Sequence, residues 1–394
     1  MQSISLYLHI PFCTHRCGYC DFNTYAGLEN LIPEYVDALI GEAGFVAASA
    51  TERLPVHTIF FGGGTPSLLP KSEVGRILQV LADLYDVSPD VEISLEANPG
   101  TLSADYLRGL RQVSVNRLSL GVQSASPEEL RLLERQHDFQ DVIQAVKWAR
   151  QAGFDNLNLD WIFGLPGQSL QSWQRNLELA ISLKPEHLSL YALSIEHGTP
   201  FKQMSSRGLI QPIDLDLAAD MYEWAIWRLG EAGFVQYEIS NWARPGPDGR
   251  PIACRHNLQY WRNLPYIGLG AGAHGFINGL RIANVLAPSA YIQRMRAGKS
   301  VEFPRTPASA SVERVDEPRE MGETMMMGLR LVEEGVSRSG FAKRFGQPIE
   351  AVYSPQVSKL ENLGLLEAAP ISNDQIRLTQ KGRLLGNQAF MEFV

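Results

Sequence analysis

The chain has 394 residues, 45% of them apolar and 20% charged, with a formal net charge of −8. That length predicts two or three domains with a sizeable core. The acidic balance disfavours backbone-driven binding to nucleic acid, and no run of about 18 apolar residues offers a membrane span.

Residues 1–12 lack the basic start and apolar core of a secretory signal, so a cytoplasmic setting is expected. Six short apolar runs follow along the chain, at residues 4–9, 56–61, 91–95, 116–122, 156–163 and 187–193. Their length and content predict buried parallel strands. Segments with helical spacing lie between them. Residues 33–50 put Tyr35, Leu39 and Ala43 on one face, and residues 72–85 do so with Val74, Ile77, Leu78 and Leu81. Ser126 and Pro127 read as a cap and a first-turn proline. Residues 141–152 and 170–183 complete the set.

Strands alternating with helices imply right-handed crossovers and a parallel sheet. Six such units suit a doubly wound sheet or an incomplete barrel, and the polar residues decide. Cysteines follow strand one, glycines strand two, Glu96 strand three and Gln123 strand four, while Asp160 lies within the fifth run. Groups gathered from many strand ends are the habit of barrels.

The pattern changes near residue 211. Residues 214–232 form an amphipathic helix in which Trp224 and Trp227 are expected to pack inward. A Pro- and Gly-rich loop at 244–255 and an aromatic stretch at 260–276 come next. Residues 307–394 read as a mostly helical, winged-helix-like domain with a strand-like piece at 376–378. Acidic residues outnumber basic ones there, which argues against DNA docking. Met325–Met327 reads as helix core, and His274 sits in a close-packed glycine turn. The expected division is a barrel at 1–210, a connecting region at 211–306 and a C-terminal domain at 307–394.

Three of the four cysteines, Cys13, Cys17 and Cys20, fall within one short stretch after the first strand. Such neighbours close no useful long disulfide loop, and clustered thiols in a reducing compartment read as metal or redox ligands. Three thiolates can hold three irons of a 4Fe-4S cluster and leave the fourth open to a chelating molecule. The alternative is a zinc site completed by His9 or His15.

The three-then-two cysteine spacing after a first strand resembles the radical S-adenosylmethionine (SAM) superfamily. Residues 6–13 and Cys20-Asp21-Phe22 resemble its oxygen-independent coproporphyrinogen III oxidase-like branch, which also holds heme chaperones. The likeness spans nearly the whole chain. It implies a partial (β/α)6 radical SAM barrel with a 4Fe-4S cluster on Cys13, Cys17 and Cys20. It also implies SAM contacts at Tyr7, Tyr19, Gly63, Gly64, Thr65, Glu96, Gln123, Arg135 and Asp160. Glycines in residues 60–66 let backbone approach a ligand, and the Arg135 guanidinium matches a carboxylate.

His256-Asn-Leu-Gln-Tyr260-Trp261 matches a pattern of the chaperone side of this branch. His256 can ligate heme iron and Tyr260 can pack on a porphyrin, with Cys254 as a second candidate ligand. Two functions therefore stay open. One is a heme chaperone, with transfer of heme to membrane-associated respiratory proteins implied by the resemblance. The other is the oxidase, which uses SAM to decarboxylate a porphyrinogen. The oxidase carries a further cysteine where this chain has Phe22, and a long extension before the position of Tyr7. Both departures favour the chaperone. A radical methyltransferase acting on RNA fits poorly with the acidic charge. Self-association and peripheral attachment to a membrane are left open by the sequence.

Overall fold

The six apolar runs are strands. In a computed structural model, which describes residues 3–298, 302–368 and 374–394, they are β1 (Ile4–Ile10), β2 (Pro55–Gly63), β3 (Asp86–Ala97), β4 (Arg117–Gln123), β5 (Leu157–Phe163) and β6 (His187–Ala192). They lie side by side in that order and are all parallel. Leu6, Leu8, Ile59, Phe61, Leu95, Leu118, Leu120, Leu159 and Leu188 are buried on them, as strands covered on both faces require.

Five helices cover the sheet: α1 (Ile32–Ser49), α2 (Lys71–Leu84), α3 (Ala104–Gln112), α4 (Phe139–Gln151) and α5 (Leu170–Ser182). Helix α2 buries Val74, Ile77, Leu78 and Leu81, the face its spacing predicts. The Ser126 side chain accepts from the Glu129 amide and Pro127 opens a short helix there, as expected. This is the partial (β/α)6 barrel, and its strand ends set the site at one mouth.

The chain divides into two compact units: Met1–Trp227 with Pro265–Glu313, and Arg228–Leu264 with Arg314–Val394. These boundaries differ from the expected 1–210, 211–306 and 307–394, because the middle stretch is shared between the units. In the first unit, strand Tyr266–Leu269 adds in parallel to β1, and His274–Ile277 and Leu280–Asn284 follow antiparallel. Buried Glu42 of α1 holds that addition in place. It accepts from the Gly270 amide (2.7 Å), the Tyr291 hydroxyl (2.7 Å), Asn284 Nδ2 (2.8 Å) and Thr306 Oγ1 (2.7 Å).

In the second unit, the Ile239 amide donates to the Arg330 carbonyl (3.1 Å) and the Val332 amide to the Tyr237 carbonyl (3.2 Å). These bonds tie residues 228–264 to the C-terminal part. There, helices Glu317–Gly328, Arg338–Phe345 and Ile349–Asn362 pack with a three-stranded antiparallel sheet, in winged-helix fashion. Met325 belongs to its core, as read from the sequence.

Trp227 departs from the sequence reading: it is 59% exposed, with its ring centroid 6.4 Å from that of Trp224. The buried stripe of this helix runs instead through Ala218, Met221, Tyr222 and Ala225, and Trp227, nine residues on from Ala218, projects from the opposite face. Among the described residues, no helix is long and apolar enough to cross a membrane.

Candidate functional site

The cysteine loop leaves β1 and is pinned at both ends. Phe12–Cys13 bridges in parallel to Tyr25–Ala26, and the Tyr25 amide donates to the Pro11 carbonyl at 2.7 Å. Within the loop, the Cys20 amide donates to the Cys17 carbonyl at 3.1 Å. Asn23 anchors its far end, donating from Nδ2 to the carbonyls of Ala271 (3.1 Å) and Leu286 (3.0 Å). All four cysteines are free thiols.

Cys13, Cys17 and Cys20 open into one cavity of about 510 Å³. Its walls also carry Tyr19, Gly63, Gly64, Thr65, Glu96, Gln123, Arg135 and Asp160. Eight of the nine residues expected to touch SAM therefore meet there, from six different strand ends or loops. The exception is Tyr7. Its ring stacks on Phe60 and its hydroxyl bonds to His9 Nδ1 at 3.0 Å.

The two histidines that could complete a zinc site are otherwise engaged. His9 is held by Tyr7 on one ring nitrogen and by the Asn23 carbonyl (2.9 Å) on the other. Because a carbonyl only accepts, Nε2 carries the proton, and Nδ1 accepts from Tyr7. His15 Nε2 lies 3.1 Å from Glu134 Oε2. Among the described residues, no three His, Cys, Asp or Glu converge closely enough to hold a single ion. Three thiols spread along one wall suit a multi-iron group, in which each takes a separate metal atom.

The glycine turn after β2 is shaped by the cysteine segment. The Gly64 amide donates to the Ile10 carbonyl and the Thr65 amide to the Phe12 carbonyl, both at 2.8 Å. Gly63 adopts φ +113°, and a Cβ there would stand 2.5 Å from His9 Cε1; one on Gly64 would stand 2.6 Å from the Phe12 carbonyl oxygen. Side chains at either position are excluded by the chain's own backbone and by His9. The turn thus presents bare backbone to the cavity, with Thr65 Oγ1 3.6 Å from Cys13 Sγ.

Beside this turn stand two carboxylates, Glu96 and Asp160. Glu96 ends β3 and accepts from the Gly63 amide at 3.1 Å. Burial first, then the neighbouring Asp160, push its pKa up to about 7. Asp160 is raised by burial too, and steadied by Ser119 Oγ (3.0 Å) and Asn158 Nδ2 (2.8 Å). Folding thus holds a proton on Glu96 between its ordinary 4.5 and about 7 that the unfolded chain releases. The associated stability is complete below 4.5 and lost as pH rises through 7. The cofactor-free Glu96→Gln protein is expected to exceed the parent in stability at pH 8 by about 1–2 kcal/mol, with the gap closing near pH 5. Urea melts at the two pH values check this, and equal gaps at both would remove the assignment.

Arg135 completes the ring. Its Nη2 donates to the Gly121 carbonyl at 2.9 Å and Nη1 lies 3.8 Å from Cys17 Sγ. Its buried Nε has no partner. An unmatched guanidinium donor beside a cavity is satisfied by an incoming carboxylate. Gln123 sits at φ +66°, an uncommon conformation for a side chain other than glycine, at a register shift at the end of β4. The donor set of thiols, bare backbone, carboxylates and an open guanidinium fits a cluster with a bound amino-acid-bearing nucleoside.

Sequence reasoning missed Glu134, whose φ of +53° turns it toward the cysteine loop. It missed as well the Ser119 and Asn158 supports of Asp160, which only strand pairing brings together.

The residues of the expected heme segment belong to the other unit. His256 and Tyr260 share the helix Arg255–Trp261, one turn apart, and His256 Nε2 bonds to the Tyr260 hydroxyl at 2.9 Å. His256 is 1% exposed, Cys254 is buried at the helix cap, and Arg330 lies over the Trp261 ring at 4.4 Å. None of them lines the cysteine cavity. In this conformation His256 is an interior histidine with a partner.

Comparison with known proteins agrees with this geometry. Residues 7–180 match the radical SAM superfamily and residues 315–385 the HemN C-terminal domain. The heme chaperone HemW of Bacillus subtilis is 37% identical over 99% of each chain. The heme chaperone HemW of Escherichia coli is 38% identical over 100% of this chain and 99% of its own. The solved structure of coproporphyrinogen III oxidase (HemN) from Escherichia coli superposes with a TM-score of 0.81 at 24% identity, covering 99% of this chain and 90% of that one. That last likeness shows the fold.

Proposed function

The chain belongs to the radical SAM superfamily, in the family of the heme chaperone HemW, and from that premise we propose that it binds heme, a 4Fe-4S cluster and SAM, and delivers heme to respiratory-chain hemoproteins. The observation that carries this reading is the full-length likeness to proteins named heme chaperones, joined to a cavity whose walls hold the cysteines. Cys13, Cys17 and Cys20 would hold the cluster. Tyr7, Tyr19, Gly63, Gly64, Thr65, Glu96, Gln123, Arg135 and Asp160 would hold SAM. When bound, such a cluster supplies one-electron reduction of the molecule on its open iron. The chain's own part is to orient that molecule: Arg135 Nε offers a donor to its carboxylate, and Glu96 offers an acceptor to its ammonium or hydroxyls.

His256 is the proposed axial ligand of heme iron and Tyr260 a ring contact, with Cys254 next in line. Ligation through Nε2 would require the His256–Tyr260 bond to open first. A cytoplasmic setting, peripheral contact with the membrane of the recipients and self-association belong to the same reading.

The second reading, porphyrinogen oxidation, is disfavoured by Phe22 in place of a cysteine. The reduced protein, given SAM and coproporphyrinogen, is expected to yield no protoporphyrinogen, while anaerobic titration with hemin shows a saturating Soret change. Multiple-turnover product formation would reverse the order of the two readings, and a flat hemin titration would remove the first.

A further inference from the structure

We infer that His187 and Asn158 are positioning residues of the SAM site. A one-way relay of hydrogen bonds runs from the buried His187 imidazole through the Asn158 amide to Asp160, and holds that carboxylate as an acceptor at the cavity wall. The inference rests on the SAM reading above and deepens it with residues that do not themselves line the cavity.

Strand register brings the relay together. Ser119 of β4 pairs with Asn158 of β5, Asn158 pairs with His187 of β6, and Asp160 pairs with Ser189. Side chains two apart on a strand share a face, so Asn158 points with Asp160 and His187 with Ser189. Ser119 and Asp160 line the cysteine cavity, whereas Asn158, His187 and Ser189 do not. These last three are all 2% exposed or less. A barrel interior is ordinarily filled by branched apolar side chains. A polar set buried this deeply holds no advantage over them in stability.

The chemistry of each group fixes the direction of every bond. Asn158 Oδ1 lies 2.6 Å from His187 Nδ1 and accepts from Ser189 Oγ at 3.0 Å. An amide oxygen only accepts, so Nδ1 carries an imidazole proton. Burial first, then the charge of Arg117, hold His187 well below the usual histidine range. The neutral ring has one proton to give, and it gives it to Asn158. With its oxygen taken by two donors, the amide turns Nδ2 the other way. There it donates to Ser119 Oγ at 2.7 Å and to Asp160 Oδ1 at 2.8 Å. Ser119 Oγ, having accepted, donates its own proton to Asp160 Oδ2 at 3.0 Å. Both oxygens of Asp160 thus receive a donor from within the barrel, and their remaining lone pairs are left for donors on the ligand. An Asn158 amide turned over would set its oxygen against the carboxylate. The proton on His187 Nδ1 therefore decides which end of the amide meets Asp160.

SAM itself is the probe, titrated calorimetrically into the anaerobically cluster-reconstituted protein, so that binding is read without turnover. His187→Leu is expected to bind SAM about tenfold more weakly than the parent, with iron and sulfide content unchanged. His187→Asn, which keeps an N–H near the place of Nδ1, is expected to recover most of that loss. In an Asp160→Ala background, His187→Leu should cost less than about twofold, because a residue that acts through Asp160 has nothing left to act on. A merely structural residue would cost as much there as in the parent. Should His187→Leu fail to fold, Ser189→Ala takes its place, since it removes the second donor to Asn158 Oδ1. About a threefold loss is then expected in the parent and none in the Asp160→Ala protein. Unchanged SAM affinity, equal losses with and without Asp160, or a His187→Asn protein as weak as His187→Leu overturns the relay alone. A parent that binds no SAM overturns the SAM reading and the relay with it.

Discussion

Replacing Cys13, Cys17 and Cys20 together with alanine is expected to bring iron and sulfide after anaerobic reconstitution down to background, with loss of the brown colour. Among the described residues the three thiols are the only sulfur groups on the cavity wall, and they lie on one short loop pinned by the Phe12–Cys13 bridge and by Asn23. The loss should be chemical rather than structural. Cys17 and Cys20 are half-buried, Cys13 is buried but outside the six barrel strands, and no cysteine is in a disulfide, so alanine is expected to leave the barrel strands and their helices in place. Circular dichroism of the variant should therefore match that of the cofactor-free parent. Iron and sulfide retained at parental levels would remove the cluster. One equivalent of zinc in the oxygen-protected parent would replace it with a mononuclear site, which the engaged states of His9 and His15 argue against.

His256→Ala is expected to weaken hemin binding by about tenfold or more while leaving cluster content unchanged. A buried histidine also has a structural share. Its removal strips the Tyr260 hydroxyl of a hydrogen bond at 2.9 Å, worth about 1 kcal/mol, so some loss of stability accompanies the loss of affinity. Tyr260→Phe separates the two effects. It removes the hydroxyl bonded to Nε2 and keeps the ring. The expected result is hemin binding that is faster than in the parent, read by stopped-flow absorbance, with a Soret position unchanged. Identical hemin titrations for parent and His256→Ala would move the ligand elsewhere, and Cys254→Ala is then the next variant to measure. His256→Ala binding that returns to parental strength on lowering the temperature would mark the residue as structural.

Much of the site was legible because its residues are strand ends. An apolar run of five to eight residues reads as a buried strand, and a polar or glycine residue just past it must sit at the mouth of a parallel barrel. That logic alone gathers Glu96 and Gln123 with the cysteines, although they are far apart in the chain. It does not reach Asp160 and Tyr7, which lie inside β5 and β1: there the facing of a side chain follows from the pleat, which puts Tyr7 on the same face as its partner His9. The inward reading fails for Trp227, which the helical turn places on the face opposite the buried stripe. The share of residues 228–264 and 265–313 between two units was equally hidden, because it rests on Glu42 finding partners more than two hundred residues away.

By itself the amino-acid sequence determined the six strands, four of the five covering helices, the thiol loop and its neighbours at the mouth, since periodicity and residue type act locally. Only the tertiary structure decided which donors are taken and which are left over. Arg135 Nε is left over, while His9, His15 and His256 are taken, because a hydrogen bond depends on what long-range packing brings within about 3 Å.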